Sequence, residues 1–393
     1  MKYDFDRVID RACTDSCKFD DREAVFGKAD VIPLWIADMD FEAAQPVREA
    51  VEKKAAEGIW GYTTGLQDYF RALCAWKKRR NGWDIDPEKC SYSPGVVMSL
   101  CALIKLFTPE GGRVLVQSPT YSHFYYAIEG LGRKVVESFF VERGGQWEPD
   151  WADFEAKLRE CDMFFLCSPQ NPLGRVWTAE ELRRMVELCH RYGVKLVSDE
   201  IHSDLIFRGR HTPTATVSDL AAETVITCVS GTKTFNLAGL YVSAVVFPDA
   251  KTKRSFDAFW HSLAVETPNA FGLAAMTAAF DKGDEWLDQL LEYIDGNFTY
   301  VKSFLDENIP QIKTFIPDAT YLMWLDCRGL GLEDNDALSR FFIERAGLGL
   351  SEGRQFCPSL TGYMRLNVAC PRATLEKAMA QLKRAVDELL SGK

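Results

Sequence analysis

Three polar residues, each following an apolar run, carry the chemistry this sequence offers. Lys233 stands in Val229-Ser230-Gly231-Thr232-Lys233-Thr234-Phe235-Asn236, Asn171 in Ser168-Pro169-Gln170-Asn171-Pro172-Leu173-Gly174, and Asp199 in Val197-Ser198-Asp199-Glu200. A lysine amine can bond covalently to a carbonyl and later move a proton, an aspartate can hold a protonated ring nitrogen, and an asparagine amide can donate to a phenolate oxygen. Taken singly they read as a loop lysine, a helix-capping aspartate and an Asn-Pro turn. Taken together, at three separate strand ends, they suggest a pyridoxal 5'-phosphate site.

The elements that must position them can be read from the same text. The runs 163–167, 194–197 and 225–229 are apolar, β-branched or aromatic and predict buried strands. If those strands are neighbours, the three residues meet where open α/β sheets place their ligands. Further strands are expected over 113–117 and 243–247, and helices over 46–57, 66–80, 96–107, 121–129 and 178–192, the last opened by a capping box at Thr178 and Glu181. This alternation predicts a large α/β domain over 46–285 with a mostly parallel sheet wrapped by helices. After Asp284, a long amphipathic stretch to Glu307 leads into apolar segments at 314–316, 319–326 and 363–368 and a last helix over 372–390. That order predicts a smaller α+β domain over 286–393, with residues 1–45 as an N-terminal arm that is part of it.

Composition narrows the classes. A chain of 393 residues, 47% hydrophobic and 26% charged, is long enough for two domains and ordinary for a globular protein. A net charge of -11 argues against a nucleic-acid or anionic-membrane partner. Twelve cysteines are scattered without paired metal-ligand spacing, so buried thiols in a reducing compartment are expected and no metal site. The first residues lack an apolar leader and no run approaches the roughly 18 apolar residues of a membrane span, which predicts a cytoplasmic protein. The basic run Lys77-Lys78-Arg79-Arg80 reads as the exposed end of a helix.

The order Asn-Pro-x-Gly, Asp-Glu, Ser-x-x-Lys resembles the fold-type-I pyridoxal-phosphate enzymes of the class I/II aminotransferase superfamily. Four finer blocks, residues 33–41, 171–177, 199–204 and 233–239, look like its cystathionine β-lyase, or C–S lyase, branch. The resemblance runs from about residue 2 to the C-terminus. It implies a sheet of the seven-stranded type in the large domain and a homodimer with active sites at the subunit boundary. One departure from the aminotransferases is visible: they commonly carry an arginine in a Gly-Leu-Arg segment after the lysine, and this chain has Gly239-Leu240-Tyr241.

Roles follow for individual residues. The resemblance implies that Lys233 bonds the cofactor and moves the Cα proton, that Asp199 pairs with the pyridine nitrogen, and that Asn171 donates to the phenolate oxygen. It also implies that Tyr121 stacks on the ring and that His202 orients Asp199. Gly95, Val96 and Val97 form a glycine-containing turn into an apolar helix, whose free amides and dipole suit a phosphate. Ser230 and Thr232 add hydroxyl donors, and Tyr62 matches the family tyrosine that reaches the phosphate from the partner subunit. Arg365 matches the carboxylate-binding arginine, with Trp35 and Ala37 of the arm lying over the same substrate. The activity implied is β-elimination from sulfur-containing L-amino acids, with thiol, pyruvate and ammonia released. An aminotransferase, and a regulatory protein-binding dimer with incidental lyase activity, remain as alternatives.

Overall fold

Eight strands hydrogen-bond in the order Cys90–Ser93, Ser243–Val246, Ile226–Val229, Lys195–Asp199, Met163–Cys167, Arg113–Ser118, Lys134–Arg143 and Gln146–Pro149. The strands from Ile226–Val229 through Lys134–Arg143 are mutually parallel, whereas Ser243–Val246 and Gln146–Pro149 run antiparallel to their neighbours. This is the expected α/β class with a large, mostly parallel sheet. Its eighth strand, Gln146–Pro149, folds back from the edge through Gly144 and Gly145 at φ 60° and 83°, a left-handed turn that suits glycine. Because that strand is not apolar, no run in the sequence announces it.

The computed structural model describes residues 2–265 and 267–392. It divides into two units, one of Ala43–Asn171 with Arg175–Leu287, the other of the residues up to Glu42, Pro172–Gly174 and those from Asp288 onward. In the first unit the central strands are buried along both faces, which is why they read as unbroken apolar runs. Alternate residues Val197, Cys167 and Cys228 point to one face, where they pack with Val96, Leu100 and Phe124 from the helices Val96–Phe107 and Ser122–Gly130. The helix Ala179–Tyr192 starts with the predicted capping box at Thr178 and Glu181 and stops at Gly193, φ 69°.

The second unit holds an antiparallel sheet in the order Lys313–Thr314, Leu322–Asp326, Tyr363–Asn367, Ser351–Glu352, with the C-terminal helix Arg372–Leu390. Its N-terminal segment is tied down by a charge cluster. Lys18, wholly buried, lies 3.0 Å from Asp40 and 3.3 Å from Asp38, and Arg11 reaches the same two carboxylates. Asn367 then grips the extended backbone after it, its Nδ2 donating to the carbonyls of Ile36 and Asp38 at 2.6 Å. Among the described residues no helix is long and apolar enough to cross a membrane.

Candidate active site

Asp199 is the last residue of its strand, paired in register with Cys167 on one side and Cys228 on the other. It shares the sheet face of Val197, toward the helix Val96–Phe107. Its carboxylate accepts the Ile201 amide at 3.1 Å. Burial pushes its pKa from the usual 3.8 up to about 7, Glu200 adds to the rise, and the Ile201 amide and the charge of Lys233 pull the other way. Asn171, also buried, follows the neighbouring strand Met163–Cys167, and its amide reaches the Cys167 thiol. Lys233 follows the strand Ile226–Val229. The three predicted residues thus leave three adjacent parallel strands at the same edge of the sheet.

The helix Val96–Phe107 begins at Gly95 with no side-chain cap, so the amides of its first turn are not taken by a side-chain acceptor. A Cβ on Gly95 would meet nothing within 4 Å, so the space beside the helix start is open. Ser230 donates to the Val242 carbonyl at 2.7 Å and lies 2.9 Å from the Thr232 hydroxyl, so the pair clamps the loop that leads to Lys233. Tyr121 is the N-cap of the helix Ser122–Gly130 and packs edge-on against Phe124. His202 is buried in the turn that follows Asp199.

In the other unit, Arg365 is central in the strand Tyr363–Asn367. Its NH2 donates to the Trp35 carbonyl at 2.8 Å and to Ser351 Oγ at 3.3 Å, and its guanidinium lies 4.6 Å from the Phe356 ring. The Trp35 indole donates to the Lys18 carbonyl, and the Ala37 carbonyl accepts from Tyr321. Arg365 therefore meets Trp35 directly, and Ala37 lies two residues further along the same segment, bonded to Tyr321. Tyr62 is 98% exposed in a single chain.

Two features escaped the sequence. His123 stacks on Tyr121 with centroids 4.9 Å apart and planes at 19°; partial burial and then the charge of Lys233 hold its ring below the usual histidine value. Its place two residues into the helix behind Tyr121 was the available signal. The basic run also needs correcting. Lys77 is not at an exposed end: it is 1% exposed and paired with Asp204, because it continues the helix stripe of Tyr69, Leu73 and Trp76 that faces the core. Only the residues after it reach solvent.

Comparison with known proteins agrees with this layout. The family model described as aminotransferase class I and II matches residues 29–382. The chain is 40% identical over 385 residues to cystathionine beta-lyase PatB of Bacillus subtilis (strain 168), covering 97% of this chain and 99% of that one. It is similar to cystalysin of Treponema denticola, whose crystal structure contains a pyridoxal 5'-phosphate cofactor, with a TM-score of 0.95 at 30% identity over 99% of this chain and 100% of that one. The PLP-bound C-S lyase of Staphylococcus hominis superposes with a TM-score of 0.90 at 30% identity, over 98% of each chain. With strand-end residues, helix cradle and family model in agreement, this chain belongs to the aminotransferase class I and II family.

Proposed function

We propose that the protein binds pyridoxal 5'-phosphate and cleaves the Cβ–S bond of sulfur-containing L-amino acids of the cystathionine kind, releasing a thiol, pyruvate and ammonia. The observation that carries this reading is Asp199, a buried carboxylate pushed up to about 7 at a strand end beside Lys233. Such a group fits a cationic ring nitrogen, which would supply the charge that its surroundings withhold. The uncapped helix start with open space at Gly95 fits a phosphate in the same way. When bound, the cofactor supplies an electron sink conjugated with the substrate's Cα.

The chain's own residues do the rest. Lys233 Nζ would hold the cofactor covalently, and its amine, once free, would take the Cα proton. Asp199 would keep a positive charge on the ring nitrogen, and Asn171 would donate to the phenolate oxygen. The amides of Gly95, Val96 and Val97 would hold the phosphate with the Thr232 hydroxyl; Ser230, whose one proton goes to the Val242 carbonyl, places Thr232. Tyr121 would lie against the cofactor, and its hydroxyl or the Lys233 amine would supply a proton to the departing sulfur; a thiolate leaves readily, so no stronger acid is needed. Arg365, held by the Trp35 carbonyl, would bind the α-carboxylate beneath the arm residues Trp35 and Ala37, while His202 braces the turn beyond Asp199. The absence, at Tyr241, of the arginine that aminotransferases commonly carry supports elimination over amino transfer, as do the lyase relatives.

Steady-state assays of the holoenzyme with L-cystathionine test this. Equal amounts of pyruvate and thiol are expected, and Lys233→Ala is expected to lose turnover by at least about a thousandfold. Accumulation of a pyridoxamine form that needs a keto acid to recover would make the protein an aminotransferase instead.

The active form on this reading is a cytosolic homodimer in which Tyr62 of one copy reaches the phosphate bound by the other. Ile59 and Tyr62, 85% and 98% exposed, are the apolar surface that such an interface would cover. All twelve cysteines are free thiols, as a reducing compartment requires. Sedimentation velocity is expected to give the dimer mass, and a fully active monomer would remove Tyr62 from the site.

A further inference from the structure

The buried end of the helix Leu66–Asn81 makes contacts that the proposed reaction does not use. Lys77 Nζ donates to Ser203 Oγ at 2.7 Å and lies 3.4 Å from Asp204 Oδ1, and the two charged side chains are 2% and 1% exposed. The other oxygen of Asp204, Oδ2, accepts from Thr234 Oγ1 at 3.0 Å. Thr234 is fully buried and follows Lys233 directly, while Asp204 ends the turn that starts at Asp199, folded by the Ser203 amide on the Glu200 carbonyl at 3.1 Å. One carboxylate therefore fastens together the loops that leave two neighbouring strands, Lys195–Asp199 and Ile226–Val229.

The surroundings make the fastening rigid. Within the second loop, Phe235 N donates to the Gly231 carbonyl and Leu237 N to the Thr232 carbonyl, each at 2.9 Å. Trp76, the residue before Lys77, meets Phe235 edge-on with centroids 5.3 Å apart. On the other side of Lys233, Thr232 N donates to Ser230 Oγ at 3.1 Å. Both backbone neighbours of Lys233 are thus anchored, one to its own strand and one through Asp204 to the Asp199 turn. A buried ion pair is a poor stability device, since apolar residues of the same volume serve as well or better. What it offers is direction: a hydroxyl bonded to a charged acceptor in a dry site has a fixed length and angle.

We propose that Asp204, paired with Lys77, is a positioning residue that sets where Lys233 stands relative to Asp199, acting through the Thr234 hydroxyl. The proposal rests on the reading of Lys233 as the cofactor-bearing lysine. Displacement of a reacting group by about 1 Å costs up to about a hundredfold in rate, so loosening this one tether is worth roughly a tenth of that.

Thr234→Val removes the hydroxyl while keeping the shape and leaving the Lys77–Asp204 pair untouched; Thr234→Ser restores the hydroxyl. Three readouts on the holoenzyme are compared: kcat and KM for L-cystathionine, the thermal midpoint, and the pyridoxyl group fixed on Lys233 by borohydride at graded pyridoxal phosphate. In Thr234→Val, kcat is expected to fall about tenfold with KM within about twofold. More cofactor should be needed to saturate Lys233, and Thr234→Ser should recover both. Wild-type kcat and saturation in Thr234→Val would overturn the proposal, as would equal impairment of the serine variant, which would assign the effect to packing. Absence of any pyridoxyl group on Lys233 in the wild type would overturn the underlying reading instead, and that failure is visible before any variant is made.

Discussion

Asp199 and Glu200 are consecutive, equally deprived of solvent, and driven in opposite directions. Asp199 points to the face of the sheet where the helix Val96–Phe107 starts, accepts the Ile201 amide, and is pushed up to about 7 by burial. Glu200 points to the other face. There Ser198 Oγ donates to Oε1 at 3.1 Å, the Thr214 amide donates to it at 2.8 Å, and His211 Nε2 lies 2.9 Å from Oε2. Burial alone would raise Glu200 too, but His211 and Thr214 outweigh it and hold its carboxyl below the usual range. Burial therefore does not separate a working carboxylate from a structural one. The number of donors does: the saturated group locks the 201–214 loop, and the undersupplied one is fitted to receive a positive charge from outside the chain.

The largest effect expected from this contrast is at Asp199. A carboxyl whose folded pKa is raised stabilises the fold below its unfolded value and loses that contribution as pH rises through the folded one. For Asp199 the window runs from the usual 3.8 to about 7, and at about 1.4 kcal/mol per pH unit the span is on the order of 4 kcal/mol. Relative to the wild-type apoprotein, the Asp199→Asn apoprotein should gain stability steadily as pH is raised across that window, measured by urea unfolding. The same substitution should cost the holoenzyme about a hundredfold or more in kcat, since the amide cannot hold the ring charge. A variant whose stability relative to the wild type is the same at pH 4 and at pH 7 would show that Asp199 is already paired within the chain.

How much of this was legible follows from which interactions leave a local trace. The helices Val96–Phe107 and Arg372–Leu390 and the strand Met163–Cys167 were read to the residue, since each is an apolar pattern of the right period and length. The strand Cys90–Ser93 was not: Cys90-Ser91-Tyr92-Ser93 looks polar, yet all four residues are buried in the end strand of the large sheet. Asp199, Asn171 and Lys233 were visible because strand ends are visible. The contrast between Asp199 and Glu200 was not, because Glu200 meets His211 across an irregular loop whose path no periodicity reports. Lys77 failed for a different reason. Charge runs are usually solvated, and the helix stripe that buries it competes with that rule and wins only because Asp204 and Ser203 are there to receive it.

The smaller effect is expected at Glu200, with the opposite pH sign. Its folded value is depressed, so its contribution is present above the ordinary 4.5 of a glutamate and is lost as pH falls below it. Glu200→Ala would strand the Thr214 amide and the His211 ring in a dry site, at a cost of roughly 3 kcal/mol near neutral pH. Urea unfolding of the apoprotein should show that deficit constant above the ordinary 4.5 and shrinking only as pH falls below it, where the wild type begins to lose the same contribution. Turnover per folded holoenzyme should change by less than about threefold, because Glu200 faces away from the side of the sheet that Asp199 occupies. A hundredfold fall in kcat with little loss of stability would place Glu200 in the reaction and erase the distinction between the two carboxylates.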